Sequence, residues 1–282
     1  MSMPDLRLAV FTALTILASS VTLYSVIHNT YLDTSNPLLT HLSHPLSKTH
    51  YFASKANFIN VYFIKKAWAW TTATFFISWI TSPPSIRTRE RLLKWVAHTT
   101  MWLIFTGWFF GPAIFERLIV ASGGECVLAL PSGDPITVPV ELCFTKSHLS
   151  PSSHPELFVT SSSSFTPPVD WHAAPRLRRG HDVSGHIFLL TMAILFLTDQ
   201  LRYSLRLIER GALHTVAVAA NVMMILTWFF ATYTTCLYFH TPLEKITGFI
   251  LGASCFAITL LPEVEAAEKR RKAGNVKQLK ET

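Results

Sequence analysis

The chain has 282 residues, half of them hydrophobic and only 15% charged, with a net charge of +7 and a mean hydropathy of +0.33. Soluble domains carry about 25% charged residues, and here the apolar residues are gathered into long runs, so an ordinary soluble domain is excluded and an all-α membrane protein is expected. The basic balance reads as a topological signal and not as a nucleic-acid footprint.

Six runs, near residues 6–27, 58–80, 92–120, 184–201, 213–239 and 246–261, approach the length that crosses a bilayer core. Roughly 20 residues are needed for a core of about 30 Å, and lipid forces such segments to be helical because it offers no partner for open backbone groups. The first run is too long for a signal-peptide core and lacks a basic start and a small-residue cleavage site, so it is read as a span. The expectation is a six-transmembrane-helix bundle, a single integral membrane domain over residues 1–282.

The second run contains NVYFIKKAWAW. On a regular helix, Lys65 and Lys66 lie about 12 Å deep and point about 100° apart. Lysine at that depth marks a functional site by default, with an anionic head as its partner; snorkelling to the interface is the alternative. Arg87, Arg89, Arg91 and Lys94 follow the second run, Arg202, Arg206 and Arg210 follow the fourth, and six Lys and Arg crowd the tail 262–282. In a six-span protein these segments share one side, which the charge rule makes cytosolic, together with both termini.

The opposite side receives residues 28–57, a long lumenal loop over 121–183, and the link 240–245. Within the loop, ECVLALPSGDPITVPVELCF reads as two short strands around a Ser-Gly-Asp turn. Cys126 and Cys143 flank that pair and either form a disulfide in an oxidising lumen or stand as free thiols. SSSSFTPP, further on, reads as a flexible stretch. Cys236 and Cys255 fall inside spans and pack there.

GHDVSGH, residues 180–186, stands at the entrance to the fourth run. Ser184 is a natural N-cap, with Gly185 and His186 in the first turn. A helix start offers free N–H groups and a positive dipole end, which together hold phosphate. His240 closes the fifth run on the same side, 54 positions after His186, so both rings meet one face of the membrane. A second histidine there supplies a nucleophile or an acid. Asp182 and Glu244 are available to orient the rings, and no compact ligand pattern calls for a metal or other cofactor. By dipole alone His186 is the base and His240 the acid.

With GHDVSGH, YFH at 238–240 and NVYFIKKAWAWT at 60–71, the chain resembles the fat storage-inducing transmembrane (FIT) family, in a fungal-type form, related to lipid phosphate phosphatases. That resemblance implies an endoplasmic reticulum enzyme that cleaves the diphosphate of fatty acyl-CoA, giving acyl 4′-phosphopantetheine and adenosine 3′,5′-bisphosphate. It implies roles in lipid droplet formation and ER lipid balance, with membrane lipids and acyl-CoA as partners. It casts His186 as the general acid and His240 as the nucleophile, with Glu244 where the phosphatases carry an orienting aspartate. The chain departs from those phosphatases in lacking a Ser-Arg pair before His240 and the Lys…Arg-Pro motif. Lys65, Lys66, Lys245 or Arg179 then stand in as phosphate ligands. A non-catalytic protein that binds and partitions neutral lipid is the alternative; a small transporter, with the lysines and histidines lining a path, is a third class that internal repeats or broken helices would favour, and the sequence shows no convincing repeat.

Overall fold

A computed structural model describes residues 5–32, 44–107, 112–132, 134–159, 167–168 and 170–262. The Ser-rich stretch 161–166 and the basic tail from residue 263 on lie outside the described residues. The chain is mostly helical, and three helices are long and apolar enough to cross a membrane: α1 (Leu6–Ile27), α7 (Gly185–Leu205) and α8 (Ala212–Tyr238).

Helix α1 starts at an Asp5 cap and exposes Leu8, Ile16 and Leu23, as a lipid-facing helix should. The second run is not one regular helix. Residues Ile59–Phe63 form a π turn, Ile64–Lys66 a 3-10 turn, and only Ala67–Thr81 a regular helix, α2. The irregular start is held by amides: Asn57 Oδ1 accepts from the Asn60 N–H at 2.8 Å, and Asn60 Nδ2 donates to the Lys55 carbonyl at 2.7 Å. The Trp70 indole donates to the Tyr62 carbonyl at 2.8 Å, satisfying a backbone group the break leaves open.

The third run also departs from the single span expected over 92–120. Helix α3 (Arg89–Thr106) ends at Gly107, and α4 (Ile114–Ala121) begins after Pro112. The physical reason is local: a Gly, then a Pro that cannot continue a helical ladder. The segment expected to be a loop instead folds. Strands β1 (Glu125–Ala129), β2 (Pro135–Thr137) and β3 (Arg176–Arg178) form an antiparallel sheet in the order β2-β1-β3, accompanied by α5 (Val140–Thr145) and α6 (Pro155–Val159). Of the two states open for Cys126 and Cys143, the structure adopts the disulfide, which ties β1 to α5 over Leu128, Leu130 and Leu149. The last helix, α9 (Pro242–Ile258), starts four residues before the expected span.

Helix α7 is the axis. Nearly all its side chains from Ile187 to Leu201 are buried, with α1, α2, α3, α8 and α9 around it. Tryptophans stitch the surrounding helices: Trp228 Nε1 donates to Thr71 at 3.1 Å, and Trp95 Nε1 to Thr72 at 3.2 Å. Against α9 the fit depends on small residues, Gly248 and Gly252, four apart on one face. A Cβ at Gly248 would stand 2.6 Å from the Ser184 carbonyl.

At its other end α7 carries Asp199, whose side chain is 1% exposed. It pairs with Lys94 at 2.8 Å, Arg202 at 3.0 Å and Arg7 at 3.4 Å. Arg91 donates to Gln200 at 2.8 Å and lies over the Tyr203 ring. Residues whose charge signalled topology are therefore also a buried anchor joining α1, α3 and α7. Removing one partner of a buried pair costs about 3–5 kcal/mol, whereas an exposed pair contributes about 0–1. Asp199→Asn should accordingly lower the melting temperature in detergent sharply, and Asp5→Asn, which removes an exposed partner of Arg7, should hardly move it. Equal effects of the two changes would show that the Asp199 cluster is hydrated and is not a structural anchor.

Candidate active site

The turn between α8 and α9 follows from its sequence. Thr241-Pro242-Leu243-Glu244 is a capping box with proline at the first helical position. Thr241 Oγ1 accepts from the Glu244 N–H at 3.4 Å, and Glu244 Oε2 accepts from the Thr241 N–H at 2.8 Å. That leaves three residues, Phe239 to Thr241, to reverse the chain, and His240 takes a left-handed conformation with φ 62° to do so. A non-glycine residue held there is strained, and such strain gathers at functional sites.

The same Glu244 oxygen lies 3.3 Å from His240 Nδ1. With the Nδ1–H donating to the carboxylate, Nε2 carries the free lone pair. His240 stands between the C-terminal end of α8 and the N-terminal end of α9. The dipole reading, which saw only the end of the fifth run, therefore weighed half of its surroundings.

Glu244 also reaches the other motif. Its carbonyl accepts from the Ser184 N–H at 3.1 Å, so the cap of α7 is pinned to the first turn of α9. Ser184 is fully buried and its hydroxyl caps Ile187. Gly185 opens the helix and His186 follows. His186 is largely buried, and the charges of His240 and Lys65 act on its ring. The charges of His240, Glu244 and His181 act on Asp182. The structure thus brings His186, His240, Asp182, Glu244, Ser184, Gly185 and Lys65 to one end of the bundle.

The other basic residues divide. Lys65 and Lys66 sit in the 3-10 turn, both exposed, and of the two it is Lys65 that acts on His186. The Lys245 ammonium is buried and turns away toward α1, donating to Ser25 Oγ at 2.9 Å and lying over the Tyr31 ring. Arg179 is exposed and paired with Glu125 at 3.2 Å. Among the described residues no cluster of three or more His, Cys, Asp or Glu suits a metal ion.

Sequence reasoning passed over His181. Its Nε2 lies 2.9 Å from Thr247 Oγ1, and that hydroxyl already donates to the Leu243 and Glu244 carbonyls, so the imidazole is the donor. Its N–H donates to Ser122 Oγ at 2.6 Å. His181 therefore clamps the entrance to α7 between α4 and α9. The next residue back, Gly180, has φ +68°, and a Cβ there would collide with the Ile119 carbonyl. The signal for both was the turn in RRGHD, legible as a bend but not as a clamp.

The family model for fat storage-inducing transmembrane protein matches residues 48–221 and 208–260. The chain belongs to the FIT family. Among its relatives is the acyl-coenzyme A diphosphatase fit1 of Schizosaccharomyces pombe, 26% identical over 73% of this chain and 71% of that protein. The human acyl-coenzyme A diphosphatase FITM2 is 30% identical over 76% of this chain and 72% of its own. The pig fat storage-inducing transmembrane protein 1 is 26% identical over 74% of this chain but only 63% of that protein. No solved structure matches. In this FIT-family chain, GHDVSGH, YFH and the two-lysine turn all lie inside the matched segments.

Burial raises the Asp182 carboxyl above the ordinary carboxylate range; His240 opposes this, Glu244 adds to it, and His181 opposes it again. The folded protein then keeps a proton that the unfolded chain loses above the ordinary 3.8. Stability contributed by that proton falls as pH rises from there through the higher folded value. Asp182→Asn should flatten this part of the stability curve in melts recorded across the acid range. A slope unchanged by the substitution would show that the carboxyl is solvated.

Proposed function

We propose that this chain is a hydrolase of the endoplasmic reticulum membrane that cleaves the phosphoanhydride of fatty acyl-CoA, releasing acyl 4′-phosphopantetheine and adenosine 3′,5′-bisphosphate. In this reading it supports lipid droplet formation and ER lipid balance. The observation that carries the proposal is Glu244, whose carboxylate aligns His240 while its carbonyl holds the cap of the His186 helix. Relatives named as acyl-coenzyme A diphosphatases supply the substrate class.

In the proposed reaction His240 Nε2 attacks one phosphorus and forms an N–P bond as the bridging P–O bond breaks. His186, protonated once the negative phosphates offset the positive charge of Lys65 beside it, gives its proton to the departing phosphate oxygen. Water then adds to the phosphohistidine, freeing the second phosphate and returning the proton. Just inside the Ser184 cap, Gly185 and His186 present backbone N–H groups to the phosphoryl oxygens, and Lys65, with Lys66 beside it, adds positive charge. Asp182 and Glu244 orient the two rings. His186 and His240 should each abolish turnover when changed to Ala, and the double variant should cost little more than either alone, because a pair acting as a unit is non-additive. The assay is release of adenosine 3′,5′-bisphosphate from palmitoyl-CoA by purified protein. Wild-type turnover that survives both single changes would end the histidine mechanism and favour the lipid-partitioning alternative.

The proposed topology keeps six crossings. Helices α1, α7 and α8 cross alone, 59–81 crosses through its broken helix, α3 crosses with α4 continuing its path, and α9 returns. Both termini are cytosolic and the histidines lumenal. A single cysteine placed at the exposed Glu90 should react with a membrane-impermeant reagent from the cytosolic side of sealed microsomes. Labelling from the lumen alone would invert the topology and move the site to the cytosol.

A further inference from the structure

Helix α1 and helix α9 run antiparallel, and their seam is not closed. At its lumenal end in the proposed topology lies a cavity of about 440 Å³, walled by Ala18, Thr22 and Val26 of α1, Cys236 of α8, and Ile246 and Phe249 of α9. Toward the other end lies a second cavity of about 550 Å³, walled by Leu8, Phe11, Leu195, Phe249, Ile250 and Ala253. Both volumes fall within the roughly 300–1,000 Å³ of small-molecule sites. Because the helices are antiparallel, the cavities follow one another along the seam, from Leu8 to Val26 on α1. That is about 27 Å at 1.5 Å per residue, longer than the half of a bilayer core of about 30 Å that one leaflet fills. Phe249 belongs to both cavities, and its ring stacks on Phe11 with centroids 5.9 Å apart. Its side chain is the wall the two cavities share.

The upper cavity is also walled by Lys245. This residue is 2% exposed, its ammonium has the Ser25 hydroxyl at 2.9 Å and the Tyr31 ring at 5.0 Å, and among the described residues no carboxylate pairs with it. The Glu244 carboxylate acts on this ammonium without forming an ion pair with it, and a buried ammonium with no carboxylate in contact is costly and offers a place to an anion. Lys245 follows directly on Glu244, which aligns His240. The hydroxyls of Ser19 and Thr22 belong to the same cavity, whereas the lower one is walled mainly by hydrocarbon and ends at the Asp5–Arg7 ion pair. The order along the seam is thus cation, hydroxyls, shared aromatic wall, hydrocarbon.

We propose that the α1/α9 seam holds the acyl-pantetheine arm of the substrate. Lys245 takes the phosphate that stays with this arm, Ser19 and Thr22 face the amide-bearing pantetheine, and the acyl chain passes Phe249 into the lower cavity. The inference rests on the acyl-CoA reading and adds to it the path of the chain and the residues that measure its length. The seam opens laterally, so an acyl chain enters from lipid while the nucleotide stays in water.

The test uses the full chain in nanodiscs and palmitoyl-CoA carrying a diazirine at the end of the acyl chain. Irradiation should place adducts on Leu8 to Phe11 or Ile250 to Ala257, and unlabelled palmitoyl-CoA should compete them away. Ala253→Trp, which fills the lower cavity, should cut hydrolysis of palmitoyl-CoA relative to butyryl-CoA by tenfold or more. Adducts outside the seam, adducts that do not compete, or a chain-length preference unchanged by Ala253→Trp would overturn the proposal. The two readings separate cleanly. Competed adducts in the seam without hydrolysis keep the channel and end the hydrolase; hydrolysis with adducts elsewhere does the reverse.

Discussion

One carboxylate residue in the first turn of α9 sets the geometry of the whole candidate site. Glu244 satisfies the Thr241 N–H of its own cap, turns His240 by Nδ1, and through its carbonyl receives the Ser184 N–H that begins α7. Three separate needs, ending one reversal, aiming one ring and fixing the start of another helix, are met within two peptide units. The arrangement holds only if α9 lies close to α7. Gly248 and Gly252 provide that closeness, because lipid gives no hydrophobic drive between helices and association depends on backbone approach and hydrogen bonds. A larger residue at Gly248 would press on the Ser184 carbonyl, one residue from Gly185 and two from His186. The small-residue face is therefore as much a part of the candidate site as the histidines.

The helices that the sequence revealed are those whose cause is local. The runs at 6–27, 184–201 and 213–239 appear as α1, α7 and α8 because continuous apolar composition in lipid admits no other structure. The Ser184 cap was legible for the same reason. What escaped depends on partners distant in sequence. Nothing in ANFINVYF shows that Asn57 and Asn60 will bond into their own backbone and wind the chain into a π turn. Strand β3 is three residues long and exists only because β1 pairs with it. Asp199 is not singled out by the sequence; its three cationic partners come from α1, α3 and α7, 192, 105 and 3 positions away. At the site, the types of His186 and His240 and their meeting at one end of the bundle were readable, whereas the turn of Lys245 toward α1 and the clamp made by His181 are products of packing.

The two ends of α7 are held by opposite physics. At the proposed lumenal end, backbone hydrogen bonds and caps leave imidazoles beside a polar surface. At the other, a buried carboxylate is held among Lys94, Arg202 and Arg7. Thirteen residues, about 20 Å, separate His186 from Asp199. Between them α7 is buried on every side, so it has no lipid-facing stripe to set its rotation. Polar anchors must set it instead. With Asp199 fixed at one end and Ser184 at the other, a rotation that moved His186 away from His240 would have to break a buried ion cluster or the bond to Glu244.

The proposed acyl path and the candidate site use different sides of α9. Helix α1 is tied to α7 by Arg7 at one end and to α9 by the Ser25–Lys245 bond at the other, its middle buries Leu14 and Val21 against α7 and α8, and its remaining side faces the cavities. The side of α9 that turns to α7 is close-packed at Gly248 and Gly252; the side that turns to α1 carries Phe249 and the cavities. One helix thus presents a close-packed face to α7, which carries the candidate site, and an open face to the proposed acyl path. The residue where the two meet is the Glu244–Lys245 pair, with the carboxylate committed to the histidine and the ammonium to the seam.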